Sequence, residues 1–381
     1  METPVMPDPA AENPGSAIDT PATLSPSPPP TLSSSPKLLP PALRPGATIA
    51  LISPSARLND VFSTRLHRAV AHLSQLGYTV QVIYTPLPPN TSIRDSALHR
   101  AAEIHRAFLS PGISAIVCTI GGLSANELLP HLDYALIRAH AKIFCGYSDV
   151  TLLHYALYVA AGLRTFYGPA ALPQWGESPE PLALSKEHFL HVAKTTSNEV
   201  GQLPRSEQWT DEFVDWATAA EAARPRTLRP NRGWHWLRAG RARGLVFGGC
   251  LPSVLQLGAT PWDLPSYGGV VLLLELPEGQ EPDQATPVEV ARSGLADLAN
   301  RGVFDQIAGL VLGRPFMYTD EMGGEWKRCV LELCEGDGRT FPILADVDVG
   351  HTDPMVTVPL GALCEMDSAT DRWAIVEPSV V

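Results

Sequence analysis

Residues 142–151 read Lys-Ile-Phe-Cys-Gly-Tyr-Ser-Asp-Val-Thr. The apolar run Ile143 to Cys145 predicts the end of a buried strand, Gly146 permits a sharp bend, and Val150 to Ala160 reads as a helix. Ser148 therefore falls on a strand-to-helix turn, with its hydroxyl at the edge of a sheet. That geometry suits a nucleophile, because backbone N–H groups at a helix start face a developing oxyanion. Val150 stands where a G-x-S-x-G elbow has its second glycine, so the motif is incomplete. An ordinary helix cap built on Ser and Asp explains the same residues.

On either side of this turn, strand and helix alternate. Thr48 to Ser53 predicts a buried strand ending at Pro54-Ser55. Val61, Leu66, Val70, Leu73 and Leu76 follow near helical spacing, and Gly77 closes that helix. Tyr78 to Tyr84 is β-rich, Ala97 to Leu109 is an amphipathic helix, and Ala115 to Ile120 is a strand ending at Gly121-Gly122. The alternation predicts a parallel sheet covered on both faces, with ligands bound beyond the carboxyl ends of its strands. Ser55, Gly121-Gly122 and Ser148 all fall at that edge.

The chain divides into four stretches. Residues 1–42 carry 12 of the 37 prolines within their first 41 positions and almost no large apolar residues, which predicts a disordered tail. Residues 43–172 form the α/β domain of the serine. Residues 173–243 hold five of the eight tryptophans amid charge and proline, and read as a long irregular connection. Residues 244–381 are β-rich and predict a second, smaller α/β domain with a helix near 288–300. The fold class is thus α/β in two domains.

With 381 residues, 45% hydrophobic and 18% charged, the chain has the composition of a soluble globular protein. A formal net charge of −12 argues against a nucleic-acid partner. Seven arginines between Arg224 and Arg243 form either a solvated surface or a seat for an anionic substrate. The six cysteines make no C-x-x-C pair and lie mostly in apolar settings, as buried reduced thiols do. No secretory signal pattern and no membrane-length apolar run is present, so a cytoplasmic address is the expectation. His188 and His191 lack nearby acidic or cysteine ligands, and no metal is expected.

A serine nucleophile needs a base and a group to hold that base. His351, in Asp-Val-Gly-His-Thr-Asp-Pro (348–354), follows a strand in a polar turn and is the candidate base. Glu275 ends the run Val-Val-Leu-Leu-Leu-Glu, where a carboxylate at a strand mouth needs a partner. Ser148, Glu275 and His351 therefore predict a triad, each member at a strand end.

Taken together, these residues resemble the LD-carboxypeptidase family of serine peptidases, nearest its microcin C self-resistance branch. The ordered set comprises Arg-Pro-Gly-Ala-Thr-Ile-Ala (44–50) with Ser53-Pro54-Ser55, Thr-Ile-Gly-Gly (119–122), Asn-Glu-Leu-Leu-Pro (126–130) and the Ser148 turn. Tyr-Gly-Pro (167–169), Trp-Thr-Asp-Glu (209–212), Gly-Trp-His-Trp-Leu (233–237), Gly248-Gly249, Leu-Leu-Glu (273–275), Leu-Gly-Arg-Pro (312–315), Gly-His-Thr-Asp-Pro (350–354) and Pro-Leu-Gly (359–361) complete it. The resemblance implies a flavodoxin-like N-terminal domain, a β-rich C-terminal domain and an active site between them. It implies Ser148 as nucleophile, His351 as base, Glu275 as its orienting acid, and oxyanion donors from Asp149, Gly121 and Gly122. It also implies substrate contacts from Trp209, no metal or other cofactor, and a homodimer.

The expected reaction is hydrolysis of an amide bond in a small peptide-like or aminoacyl-nucleotide-like substrate, through an acyl-enzyme on that triad. Acyl transfer or cyclisation by the same triad and non-catalytic binding are the alternatives. Two departures from the family bear on substrate choice. Leu-Ser-Ala-Asn (123–126) stands where relatives tend to have Tyr-Asn-Ser-Asn, and Cys250 stands where an asparagine commonly follows Gly-Gly.

Overall fold

The computed structural model describes residues 38–218, 224–336 and 339–381. Most of the predicted tail, residues 1–37, lies outside these. Residues 38–42 are held: Leu38 bridges to Leu163, and the Ala42 N–H donates to the Val381 carbonyl.

The first half alternates, with α3 and β5 beyond the elements predicted: β1 (Thr48–Ile52), α1 (Ser63–Gln75), β2 (Thr79–Ile83), α2 (Ile93–Leu109), β3 (Ile113–Cys118), α3 (Tyr134–Ala139), β4 (Ile143–Gly146), α4 (Thr151–Ala161) and β5 (Thr165–Tyr167). The central strands are apolar along their length, the pattern of a sheet buried on both faces. Helix α2 begins earlier than its apolar spacing indicated. Ser92 caps it by accepting from the Asp95 N–H, which adds a polar first turn.

The stretch expected to be an irregular connection instead carries α5 (Ala183–Val192), β6 (Gly201–Gln202), β7 (Gln208–Trp209), β8 (Arg229–Pro230) and β9 (His235–Arg238). Beyond it come β10 (Arg241–Cys250), α6 (Leu251–Gln256), β11 (Val270–Glu275), α7 (Val288–Asn300), β12 (Gly309–Gly313), α8 (Asp320–Leu333), β13 (Ile343–Val347), β14 (Val358–Leu360), β15 (Leu363–Asp367) and β16 (Arg372–Ile375).

Two mixed sheets result. The first has the order β14-β5-β4-β3-β1-β2, all parallel except β14. The second has the order β6-β16-β15-β10-β11-β12-β13-β9, with a parallel centre and antiparallel flanks. The second sheet has eight strands against six in the first. Strands β6 and β9 from the supposed connection, and the β15–β16 hairpin, extend it on both sides.

Helix α4 couples the two units. It is buried on nearly every side, and its Tyr155 and Tyr158 rings lie 4.7 and 4.4 Å from the Phe247 ring on β10. The turn that starts α4 is therefore pinned by both sheets. Among the described residues, no helix is long and apolar enough to cross a membrane.

Candidate active site

Ser148 sits between β4 and α4 with φ 65°, a left-handed conformation uncommon for a residue with a side chain. Tight packing holds it there at a cost of about 1–2 kcal/mol. Its N–H donates to the Tyr167 hydroxyl at 3.1 Å, and its carbonyl accepts from Thr151 Oγ1 at 2.6 Å. The hydroxyl itself is half-buried, with no hydrogen bond to any described residue. Gly121 lies against it. A Cβ added there would stand 2.7 Å from Ser148 Cβ and 2.8 Å from its Oγ, so only glycine lets the two turns meet. Among the described residues, no acceptor takes the N–H of Gly121 or Gly122.

The Asp149 side chain ties these turns together. Its Oδ2 accepts from the N–H groups of Ser124 at 3.0 Å and Ala125 at 2.8 Å, and from the Ser55 hydroxyl. Burial pushes the Asp149 carboxyl above its ordinary range, and these hydrogen bonds with nearby Arg100 counter only part of that effect. Ser55 thus meets the carboxylate beside the serine. The strand order reverses between β1 and β3, so the Ser55 and Gly121 turns flank the crevice where ligands of such sheets bind.

Glu275, at the end of β11, is fully buried. Its Oε1 accepts from the Tyr167 hydroxyl at 2.6 Å, and its Oε2 lies 2.7 Å from His351 Nδ1. Burial, reinforced by the nearby Glu275, holds the Cys250 thiol well above its ordinary pKa. Gly350, at φ 102°, lets the chain pass directly over the Glu275 carboxylate where a Cβ would collide. His351 Nε2 points to Glu278, 3.5 Å away, and the Tyr147 ring packs edge-on at 4.9 Å. Burial lowers the His351 pKa, but Glu275 and Glu278 together outweigh it and raise the ring to about 9. Tyr167 links the halves, since it receives the Ser148 N–H and donates to Glu275.

Trp209 stands elsewhere. Its ring lies between the guanidinium groups of Arg229 at 4.0 Å and Arg314 at 4.4 Å, and it borders a cavity of about 570 Å³. Neither Ser148, Glu275 nor His351 lines that cavity. The Trp209 segment still reaches the histidine turn, because Thr210 and Asp353 exchange backbone hydrogen bonds of 2.7 and 2.9 Å. Arg226 fastens the same turn by pairing with Asp353 and Glu177. Among the described residues, no cluster of metal-ligating side chains occurs.

A two-domain α/β scaffold with a strained serine between its sheets is the setting of a serine hydrolase, and comparison with known proteins places it. The LD-carboxypeptidase N-terminal domain matches residues 49–168 and the LD-carboxypeptidase C-terminal domain matches residues 243–366. The chain belongs to the LD-carboxypeptidase family and is a serine peptidase or amidohydrolase of that family.

It is 31% identical over 335 residues to the microcin C7 self-immunity protein MccF of Escherichia coli, spanning 87% of this chain and 94% of that one. A putative carboxypeptidase of Vibrio cholerae is 31% identical over 340 residues, spanning 87% and 97%. The solved wild-type apo MccF superposes with a TM-score of 0.79 at 28% identity, covering 90% of this chain and all of that one.

A solved active-site mutant of MccF replaces a serine, an asparagine and a lysine. This corrects the expected Ser148–His351–Glu275 triad: the active-site set named for the relative is Ser, Asn and Lys. Among the described residues no hydrogen bond joins Ser148 to His351, whose ring nitrogens lie against Glu275 and Glu278. Acyl transfer or cyclisation by the same triad falls with it. The order of three residues along a chain carries no information about their protonation.

The asparagine and lysine have no evident counterpart here. Cys250 follows Gly248-Gly249, and the described lysines are engaged elsewhere: Lys142 with the Ala107 and Ser110 carbonyls, Lys186 with Glu180, Lys194 over Tyr78, and Lys327 with Asp346. The sequence reading missed Tyr167, Glu278 and the side-chain role of Asp149. Tyr167 had a signal, its place in Tyr-Gly-Pro at the end of β5, whereas Glu278 lies in a loop with no motif.

Proposed function

We propose that this chain hydrolyses the acyl linkage of small aminoacyl-nucleotide-like conjugates, with Ser148 as the nucleophile. The observation that carries this reading is the strained Ser148 turn pressed against Gly121, beside N–H groups that no acceptor takes. The N–H groups of Gly121, Gly122 and Asp149 would receive the oxyanion of the tetrahedral intermediate. Ser148 Oγ bonds to the acyl carbon as the C–N bond breaks and the serine proton passes to the departing nitrogen; water then hydrolyses the resulting ester, releasing the free acid and restoring the hydroxyl. Glu275 holds the His351 ring in place at the edge of the second sheet. Solved complexes of MccF with aspartyl sulfamoyl adenosine and glutamyl sulfamoyl guanosine support the substrate class.

Trp209 is read as a contact for the nucleotide end, because it borders the cavity and its partner Arg229, paired with Asp211, is half-exposed. A solved MccF tryptophan-to-phenylalanine variant in complex with adenosine monophosphate is consistent with that role. We read the β2-β1-β3-β4-β5 order of the first sheet as flavodoxin-like.

The test is incubation of the purified chain with alanyl sulfamoyl adenosine, followed by mass spectrometry. Release of free alanine and sulfamoyl adenosine by the wild type, and none by Ser148→Ala, is the expected result. An intact conjugate after prolonged incubation with the wild type, or equal release by Ser148→Ala, would refute the reading.

A further inference from the structure

The charged groups of this site differ from those named for the relative. MccF has a lysine in its active site and is solved with conjugates of aspartate and glutamate. Here the charged groups around His351 Nε2 come from every neighbouring element. Glu275 closes β11, Glu278 lies three residues beyond it, and Asp353 follows in the histidine turn. Asp353 is neutralised by Arg226 at 2.7 Å and also accepts from Gln174 at 3.1 Å. Glu275 is fully buried and shared between Tyr167 and His351. That leaves Glu278, whose side chain is 44% exposed and whose sole ion-pair partner among the described residues is His351 at 3.5 Å. One imidazolium therefore faces two carboxylates, and the outer one is open to an incoming group.

The Glu278 loop is built to hold that position. Glu278 bridges to Ala285, the Gly279 N–H donates to the Gln284 carbonyl at 2.7 Å, and Thr286 Oγ1 donates to the carbonyls of Pro277 and Glu278. Two like charges at contact distance repel, and an opposite charge there is drawn in. Resting on the hydrolase reading above, we propose that Glu278 is a specificity-determining residue that makes the acyl end reject acidic aminoacyl groups and favour cationic ones. The favoured substrate class is an aminoacyl-nucleotide-like conjugate whose acyl part bears a basic side chain, with neutral acyl groups intermediate.

The experiment compares kcat/KM for lysyl, alanyl and aspartyl sulfamoyl adenosine in wild type, Glu278→Gln and Glu278→Lys. Because Glu278 touches His351, each variant is judged by the ratio of lysyl to aspartyl turnover, in which any common loss of chemistry cancels. The wild type is expected to prefer lysyl over aspartyl by tenfold or more. Glu278→Gln should shrink that ratio several-fold and Glu278→Lys should invert it. Calorimetric binding of the same three conjugates to Ser148→Ala should give the same order. An aspartyl conjugate cleaved as fast as the lysyl one by wild type, or a ratio unmoved in Glu278→Lys, overturns the proposal. Failure to cleave all three instead overturns the hydrolase reading and this inference with it.

Discussion

The two edges that meet at the site are built in opposite ways. On the first sheet, the serine turn is a backbone construction: strand end, bend and helix start lie within ten residues, Gly121 presses on the turn from an adjoining loop, and the Asp149 side chain ties it to the Ser55 and Ser124 loops. On the second sheet, Glu275, Glu278 and His351 form a side-chain construction drawn from β11, its loop and the turn after β13. Local backbone geometry follows from neighbouring residues. Proton state follows from which distant groups end up in contact. The expected triad was corrected by the Ser, Asn and Lys set named for the relative, and spacing along a chain does not show which distant groups surround a ring.

If the first edge carries the chemistry, changes there should cost most. Ser148→Ala should lower kcat by about 10³-fold or more without altering the far-ultraviolet circular dichroism. Retained turnover would move the nucleophile elsewhere. Gly121→Ala forces a Cβ onto Ser148 and displaces the adjacent N–H groups, so a loss of about 10²-fold in kcat is expected with KM nearly unchanged. Asp149→Ala removes a buried acceptor of three hydrogen bonds and should lower stability by about 2–4 kcal/mol in urea titrations. Trp209→Ala should act mainly on KM, several-fold, because the ring stands apart from the serine.

The second edge is best examined by titration. A ring held at about 9 in the folded state and near 6.5 when unfolded adds stability that is fully present below about pH 6.5, and that stability is lost as the pH rises through 9. Stability should therefore fall between pH 7 and 10 more steeply in wild type than in Glu275→Gln. Equal slopes would mean that Glu275 does not hold the proton on His351.

The sequence made much of this architecture legible. The alternation of apolar strands and amphipathic helices from β1 to α4 was readable because each element announces itself within a few residues. Helix α7 emerged with its predicted bounds, since Val288, Ala291, Leu295 and Leu298 mark one buried face. Strands β6 and β9 were not legible. They are short, mixed in polarity and stabilised by joining a sheet whose other strands lie far along the chain. Tyr167 escaped for a related reason, because its two partners, Ser148 and Glu275, lie in different sheets.

The central claim is that Ser148 is the nucleophile. The most direct measurement is covalent labelling of the full chain by an activated-serine probe, with the modified peptide located by mass spectrometry. The account predicts a single adduct on the peptide containing Ser148 and no adduct in Ser148→Ala. Equal labelling of both proteins, or an adduct on a different residue of the wild type, would contradict it.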